Sequence, residues 1–312
     1  MWRNRGVALV AGLVVLSLLG ADLHRSAVTY AALRYPFRGA ELYLDDDTAA
    51  AQYQARYGAP WLSEITRHPQ ARWLNGPADL AKLPAVAGRA HRQGKLLVLV
   101  AYHIPNRDCA GPGVGAASAE AYDAYIDRMI TTLGPVKAVI ILEPDSVAMD
   151  CFNPARAALL KRTVRKLTFA GHHVYLDAGH PKWRSTREMA RRLLDAGVDD
   201  AEGFSINVAN RQTTEDSYRW GRKLSKKLGD RQFVIDTSRN GAGPPPDNEW
   251  CNPSHEGLGE PPTTDVGEGR PGLAALLWIK PPGESDGSCG GEAGFHFSPE
   301  LARGLVRNGR PG

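Results

Sequence analysis

Six short runs in this chain are apolar almost without interruption: KLLVLVAY (95–102), AVIIL (138–142), HVYLDA (173–178), GFSINV (203–208), QFVIDT (232–237) and AALLWIK (274–280). A strand with one wet face alternates apolar and polar residues, whereas a strand covered on both faces does not. Two weaker runs, ELYL (41–44) and ARWL (71–74), precede them. Between the runs, helical patterns occupy roughly 46–57, 79–93, 117–133, 153–169, 185–196 and 213–228. Buried strands alternating with helices predict an α/β fold with a parallel sheet. Seven or eight such units in one domain suit a closed, TIM-barrel-like (β/α) barrel. An open doubly wound sheet is the alternative, but no GxGxxG or P-loop follows any strand.

The fold is expected in residues 31–312 only. Arg3 and Arg5 precede GVALVAGLVVLSLLGA (6–21), a sixteen-residue stretch without charge. A positive segment before an apolar one predicts export, with residues 1–30 a signal peptide or an N-terminal membrane anchor. The product is then extracellular, either secreted or held on the outer side of the membrane. Export makes disulfides the default for Cys109, Cys151, Cys251 and Cys289. Three pairings are open, the simplest being Cys109–Cys151 and Cys251–Cys289, each closing a local loop. No CxxC spacing points to zinc, and no cofactor motif is present. The net charge is +4, and its clusters, KRTVRKL (161–167) and REMARR (187–192), lie on helices without interleaved aromatic residues. These are solvated helix faces, and a nucleic-acid partner is not expected. The sequence shows no internal repeat, and a monomer is expected. The Pro- and Gly-rich stretch 241–272 is long for a loop, which predicts a functional or a disordered segment.

Polar residues fall where the apolar runs end: Tyr102 to Asp108, Glu143 and Asp145, Asp177 and His180, Asn207 and Asn210, Asp236 and Arg239, Lys280 to Asp286. In a βα barrel these ends share one face, the face that carries active sites. Trp73, Trp183 and Trp250 lie at or just after such ends and offer flat surfaces for sugar rings. No serine has a GxSxG setting. The histidines at 172–173 open a strand, at the wrong end for a site, and are assigned to the surface. Several aspartates without a metal signature suggest acid–base cleavage of a glycosidic bond by two carboxyl groups.

The blocks PFRGAELYLD (36–45), QARWLNG (70–76), AYHIPNRDC (101–109), ILEPDSVAM (141–149), YLDAGHPKW (175–183), GFSINVAN (203–210), VIDTSRNGAGP (234–244), EWCNP (249–253) and LWIKPPGESDG (277–287) occur in this order. Together they resemble glycoside hydrolase family 6, the inverting β-1,4-glucanases that include endoglucanases and cellobiohydrolases. The resemblance implies a distorted (β/α) barrel of about seven parallel strands, a β-1,4-glucan substrate, a cleft over the strand ends and no cofactor or metal. It makes Asp145 the general acid. Asp108 raises that acid's pKa and assists the water, Asp286 is the candidate base, and Tyr102 lies beside the scissile sugar. Asp177, His180 and Trp183 match a substrate motif. Trp73, Asn210, Arg239, Trp250, Lys280 and Glu284 match further cleft positions. The family's two disulfides correspond to the local pairing above. Glu143 is left with a structural role as a buried carboxylate.

Two departures from the family pattern matter. Val114 stands where many members carry a serine that helps to hold the water, so a backbone carbonyl or Ser118 has to substitute. Asp286 and Cys289 are three residues apart, which leaves no room for the loop that roofs the cleft of cellobiohydrolases. An open cleft and internal cleavage follow. Two competing readings are a non-catalytic glucan-binding homologue, which Val114 favours, and a hydrolase of another β-linked glycan.

Overall fold

The computed structural model describes residues 35–111, 114–247, 249–287 and 296–309. The N-terminal apolar run and Cys289 lie outside the described residues. Seven parallel strands form one sheet in sequence order: β1 (Arg72–Leu74), β2 (Leu97–Ala101), β3 (Ala138–Leu142), β4 (His173–Asp177), β5 (Gly203–Ile206), β6 (Gln232–Asp236) and β7 (Leu273–Leu277). The sheet curls into a barrel whose two edges meet without a ladder. Ala71 donates its N–H to the Trp278 carbonyl at 2.9 Å, and the Trp73 indole donates to the Ile279 carbonyl at 2.7 Å. ELYL, expected as a strand, contributes only the isolated bridge of Leu42 with Leu96.

Both faces of the sheet are covered, as the unbroken apolar runs require. Val98, Val100, Val139, Ile141, Tyr175 and Val234 fill the barrel interior, where Phe37 packs on Tyr175 with ring centroids 5.7 Å apart. The alternate residues Leu99, Ile140, Leu142, Val174, Leu176 and Ile235 pack outward against helices. In chain order the helices are α1 (Ala49–Tyr57), α2 (Leu83–Arg92), α3 (Ala119–Leu133), α4 (Pro154–Phe169), α5 (Thr186–Asp195), α6 (Thr214–Lys227) and α7 (Pro299–Asn308); α2 to α6 cover the sheet, whereas α1 and α7 pack in a separate cluster with Leu62 and Trp278. Thr48, Ser118, Asn153, Ser185, Thr213 and Ser298 cap α1, α3, α4, α5, α6 and α7 by accepting a first-turn N–H. Each cap is worth about 1 kcal/mol. The Pro- and Gly-rich segment folds back on the barrel: Asn240 bridges Gly257, and Thr263 bridges Leu276.

The histidine pair departs from expectation. His172 is 2% exposed, and burial pushes its pKa down to about 4. His173 meets Glu202 at 2.9 Å. Both sit at the N-terminal end of β4, away from the strand-end carboxylates, but neither is a free surface residue.

Candidate active site

The strands end in backbone that turns sharply. Asn106, Asp108, Glu143, Asp145, Asn207 and Ala209 all have positive φ, an uncommon conformation for residues with a side chain. Such strain collects at functional sites. The β3 ladder closes with the Glu143 N–H on the Ala101 carbonyl. Pro144 has no N–H to continue it. The Asp145 N–H then turns to the side, donating to Asp177 Oδ2 on β4 at 2.9 Å.

Asp177 is fully buried. Its Oδ2 also accepts the Gly179 N–H at 2.9 Å, and its Oδ1 accepts the Ser205 hydroxyl at 2.9 Å. Burial raises its pKa to about 6 against these hydrogen bonds. Asp145 carries the opposite balance. Its Oδ1 is buried without a hydrogen-bond partner among the described residues. Burial first, then the charges of Asp177 and Asp108, push its pKa well above the usual carboxylate range, with Arg239 opposing and Asp286 adding to the rise. These surroundings favour the protonated form of the Asp145 carboxyl.

Tyr102, at the end of β2, donates its hydroxyl to Asp108 Oδ1. Arg107 donates to the other oxygen at 3.2 Å and stacks over the Tyr102 ring at 4.3 Å. Burial and the two nearby aspartates keep the phenol protonated. Trp73 meets Tyr102 edge-on at 5.0 Å, and the Lys280 ammonium lies 5.4 Å from the Trp73 ring. Lys280 is held by the Ser285 carbonyl at 2.8 Å, and burial, with Arg239 adding, pulls its pKa down to about 8. Burial raises the pKa of Glu284, with the charges of Lys280 and Arg72 opposing.

Asp286 sits in a buried ion cluster. Arg239 donates to its Oδ1 at 2.6 Å; Arg211 and the Asn252 N–H donate to its Oδ2 at 2.8 and 2.9 Å. Both guanidiniums also reach Glu256 Oε1. Burial pushes the Asp286 carboxyl up, but Arg239 and Arg211 outweigh it and hold it far below the usual range. Arg239 is aimed by the Ala209 carbonyl. Arg211 also donates to the Trp250 carbonyl at 2.6 Å, fixing the loop whose Trp250 side chain is 67% exposed. Asp236 braces the next strand end: its Oδ1 accepts the Ser238 and Ile279 N–H groups, and its Oδ2 those of Ala209 and Lys280. These bonds take the backbone of Ile279 and Lys280 out of β7, which ends earlier than its apolar run.

His180 and Trp183 meet at a tilt of 35° with ring centroids 5.2 Å apart in the loop after β4, and burial lowers the His180 pKa to about 4. Gly179 is obligatory there, because its φ is +67° and an added Cβ would lie 2.9 Å from Trp183 and from Ala148. Asn210 is tied to its own loop through the Val208 carbonyl at 2.8 Å. The expected disulfide Cys109–Cys151 is present, joining the Asp108 loop to the segment after Asp145. The partner expected for Cys251 lies outside the described residues. The Val114 carbonyl accepts the Arg107 N–H at 3.1 Å, while Ser118 caps α3. The Ser118 oxygen is thus engaged as an acceptor.

Arg211 and Glu256 had escaped the reading of strand ends. Arg211 directly follows Asn210, a weak signal, and Glu256 lies within the Pro- and Gly-rich stretch, where no pattern marks it. A cavity of about 1070 Å³ opens at the other end of the barrel, lined by Tyr35, Glu202 and Arg231 among others. It holds none of the strand-end carboxylates, and the N-terminal ends of barrel strands do not carry catalysis. Among the described residues no cluster of His, Cys, Asp or Glu could hold a metal ion.

The family model for glycosyl hydrolases family 6 matches residues 37–304. Endoglucanase A of Cellulomonas fimi is 42% identical over 279 residues, covering 86% of this chain and 61% of that protein. This chain thus spans less than two thirds of that relative. Endoglucanase 1 of Streptomyces halstedii is 40% identical over 289 residues, covering 85% of this chain and 88% of its own. The solved endoglucanase Cel6 of Mycobacterium tuberculosis, in complex with methyl-cellobiosyl-4-deoxy-4-thio-β-D-cellobioside, superposes with a TM-score of 0.81. It is 39% identical, and the match covers 88% of this chain and 99% of that one. With the barrel, the strand-end carboxylates and these similarities in agreement, the chain belongs to the glycosyl hydrolases family 6.

Proposed function

We propose that this protein is an inverting endo-β-1,4-glucanase acting on cellulose or related β-glucans. The observation that carries this reading is the Asp145 carboxyl. Its Oδ1 is buried and has no hydrogen-bond partner among the described residues, and burial with the neighbouring anions favours the protonated form that a leaving oxygen needs. In this reading Asp145 protonates the glycosidic oxygen as the bond to the anomeric carbon breaks. A water attacks that carbon from the opposite face, and the configuration inverts. The proton released by the water needs a carboxylate to receive it. The resemblance suggests Asp286, but Asp286 has both oxygens engaged by guanidinium and backbone donors and is a weak proton acceptor. Asp108 also has both oxygens engaged, by the Tyr102 hydroxyl and Arg107, but its side chain is 32% exposed against 9% for Asp286, and we take it as the acceptor. We assign Asp286 to charge balance and to holding the loop of Trp250.

Trp73, Trp183 and Trp250 are assigned to sugar stacking, with His180, Asn210, Lys280 and Glu284 as polar partners along the cleft. The short interval between Asp286 and Cys289 supports an open cleft and internal cleavage. The N-terminal apolar run behind Arg3 and Arg5 supports export, and both a signal peptide and an anchor are compatible with it. No helix among the described residues is long and apolar enough to cross a membrane. We take the enzyme to act as a monomer outside the cell. The direct test is hydrolysis of amorphous cellulose, mixed-linkage glucan and xylan by the wild type and Asp145→Ala. Activity on β-1,4-glucan that vanishes in the variant supports the reading. Equal turnover by both proteins, or none by the wild type on any glycan, refutes it.

A further inference from the structure

Glu143 is fully buried two residues before Asp145, yet no step of the proposed reaction uses it. Its Oε1 accepts the Tyr122 hydroxyl of α3 at 2.8 Å. Its two oxygens share the His103 N–H at 3.0 Å, and Oε2 also accepts the Ile104 N–H at 3.0 Å. His103 and Ile104 begin the loop that carries Asp108, and α3 receives the chain where that loop ends. One carboxylate thus holds both stems. The loop's carbonyls are clamped as well. Arg107 reaches that of Tyr102, the Ala116 N–H that of His103, and Arg156 those of Pro105 and Asn106.

We propose that Glu143 is a positioning residue that sets the placement of Tyr102 and Asp108 relative to the acid Asp145. It rests on the function proposed above and adds a residue that acts without touching substrate. Burial pushes the Glu143 pKa up to about 7, and the His103, Ile104 and Tyr122 donors, with Arg107, offset that cost only in part. Tyr125 also faces it from α3. A well-packed apolar side chain could fill the same space. It could not tie two backbone N–H groups of one segment to a hydroxyl of another.

Glu143→Ala leaves three buried donors unpaired and can fail to fold, so the informative variant is Glu143→Gln. The amide oxygen can accept from Ile104 and His103, and the amide N–H can donate to the Tyr122 hydroxyl. The shared His103 N–H, however, then faces a second donor, and the loop shifts. Adding Tyr122→Phe removes the acceptor for that amide and should worsen the shift. We expect kcat on soluble cellulose to fall about tenfold in Glu143→Gln and on the order of 10²-fold in the double variant, with KM within about twofold. Tyr122→Phe alone should cost less than about threefold.

The pH profile separates positioning from general damage. Asp145 is faced by Asp108, Asp177, Asp286, Tyr102 and Arg239. Moving Asp108 away lowers the pKa of the acid, so the alkaline limb of kcat/KM should move to lower pH by roughly half a unit or more. Losses of kcat that match the lost folded fraction, with the alkaline limb unmoved, overturn the proposal. Wild-type activity and its loss in Asp145→Ala are scored in parallel, so failure of the enzymatic reading is recognised separately.

Discussion

Arg239→Met tests whether the cluster around Asp286 works as an electrically balanced unit. Two guanidiniums, Arg211 and Arg239, face two carboxylates, Asp286 and Glu256, and the four side chains are only 3–9% exposed. Methionine fills similar volume but removes one positive charge, stranding one negative charge in the protein. It also removes the donor to the Ala209 carbonyl. Removing one partner from a buried ion network costs about 3–5 kcal/mol, a large share of an ordinary total of about 5–15 kcal/mol. For a domain of this size, that corresponds to a drop in Tm of about 5–9 °C. The sign with pH is specific. Asp286 has a folded pKa below its ordinary value, so its contribution to stability is present above about pH 4 and fades as pH falls through the folded pKa. Without Arg239 its folded pKa rises, and protonation relieves the stranded charge at milder acidity. The deficit relative to wild type should be largest at pH 7 and should shrink towards pH 4. Urea denaturation of both proteins across this range measures it. A deficit below about 1 kcal/mol, or one that grows on acidification, refutes the reasoning.

Four further outcomes follow from the same geometry. Asp177→Asn removes a buried anion beside Asp145 and should move the alkaline limb of kcat/KM to lower pH by about one unit; an unmoved limb contradicts the assigned coupling. Trp250→Ala should raise KM for cello-oligosaccharides by about two- to tenfold with kcat nearly unchanged, as expected of an exposed stacking face. Val114→Ser places a hydroxyl on the Asp108 loop, where the Val114 carbonyl accepts the Arg107 N–H, and should raise kcat without changing KM; an unchanged kcat refutes this prediction. Viscometry on substituted cellulose should show a rapid fall in viscosity per bond cut, whereas cellobiose as the dominant early product argues against an open cleft.

The barrel was legible because its strands are buried on both faces, and unbroken apolar runs such as VIIL before Glu143 have few other uses. ELYL misled for the same reason. It is apolar, but Leu42 makes a single bridge, and no periodicity reveals how many ladder bonds a run will form. Asp145, Asp177 and Tyr102 were legible by position, since strand ends of a barrel share one face. The contacts that set their chemistry were not. Arg211 and Glu256 are 45 residues apart and meet only in the folded protein. The same holds for Glu143, which looks like a second candidate acid in sequence but spends its lone pairs on His103, Ile104 and Tyr122. Ser118 shows the limit from the other side: it is close in sequence to the missing loop serine, but its oxygen also caps α3.

The central claim is that Asp145 delivers a proton while water displaces the sugar from the opposite face. Proton NMR of a cello-oligosaccharide during the first minutes of hydrolysis tests it most directly, because the anomer formed first records the side of attack. The account predicts that the α-anomer appears first, the β-anomer grows in only by mutarotation, and Asp145→Ala yields neither. Initial formation of the β-anomer, or an undiminished α signal from Asp145→Ala, would contradict it.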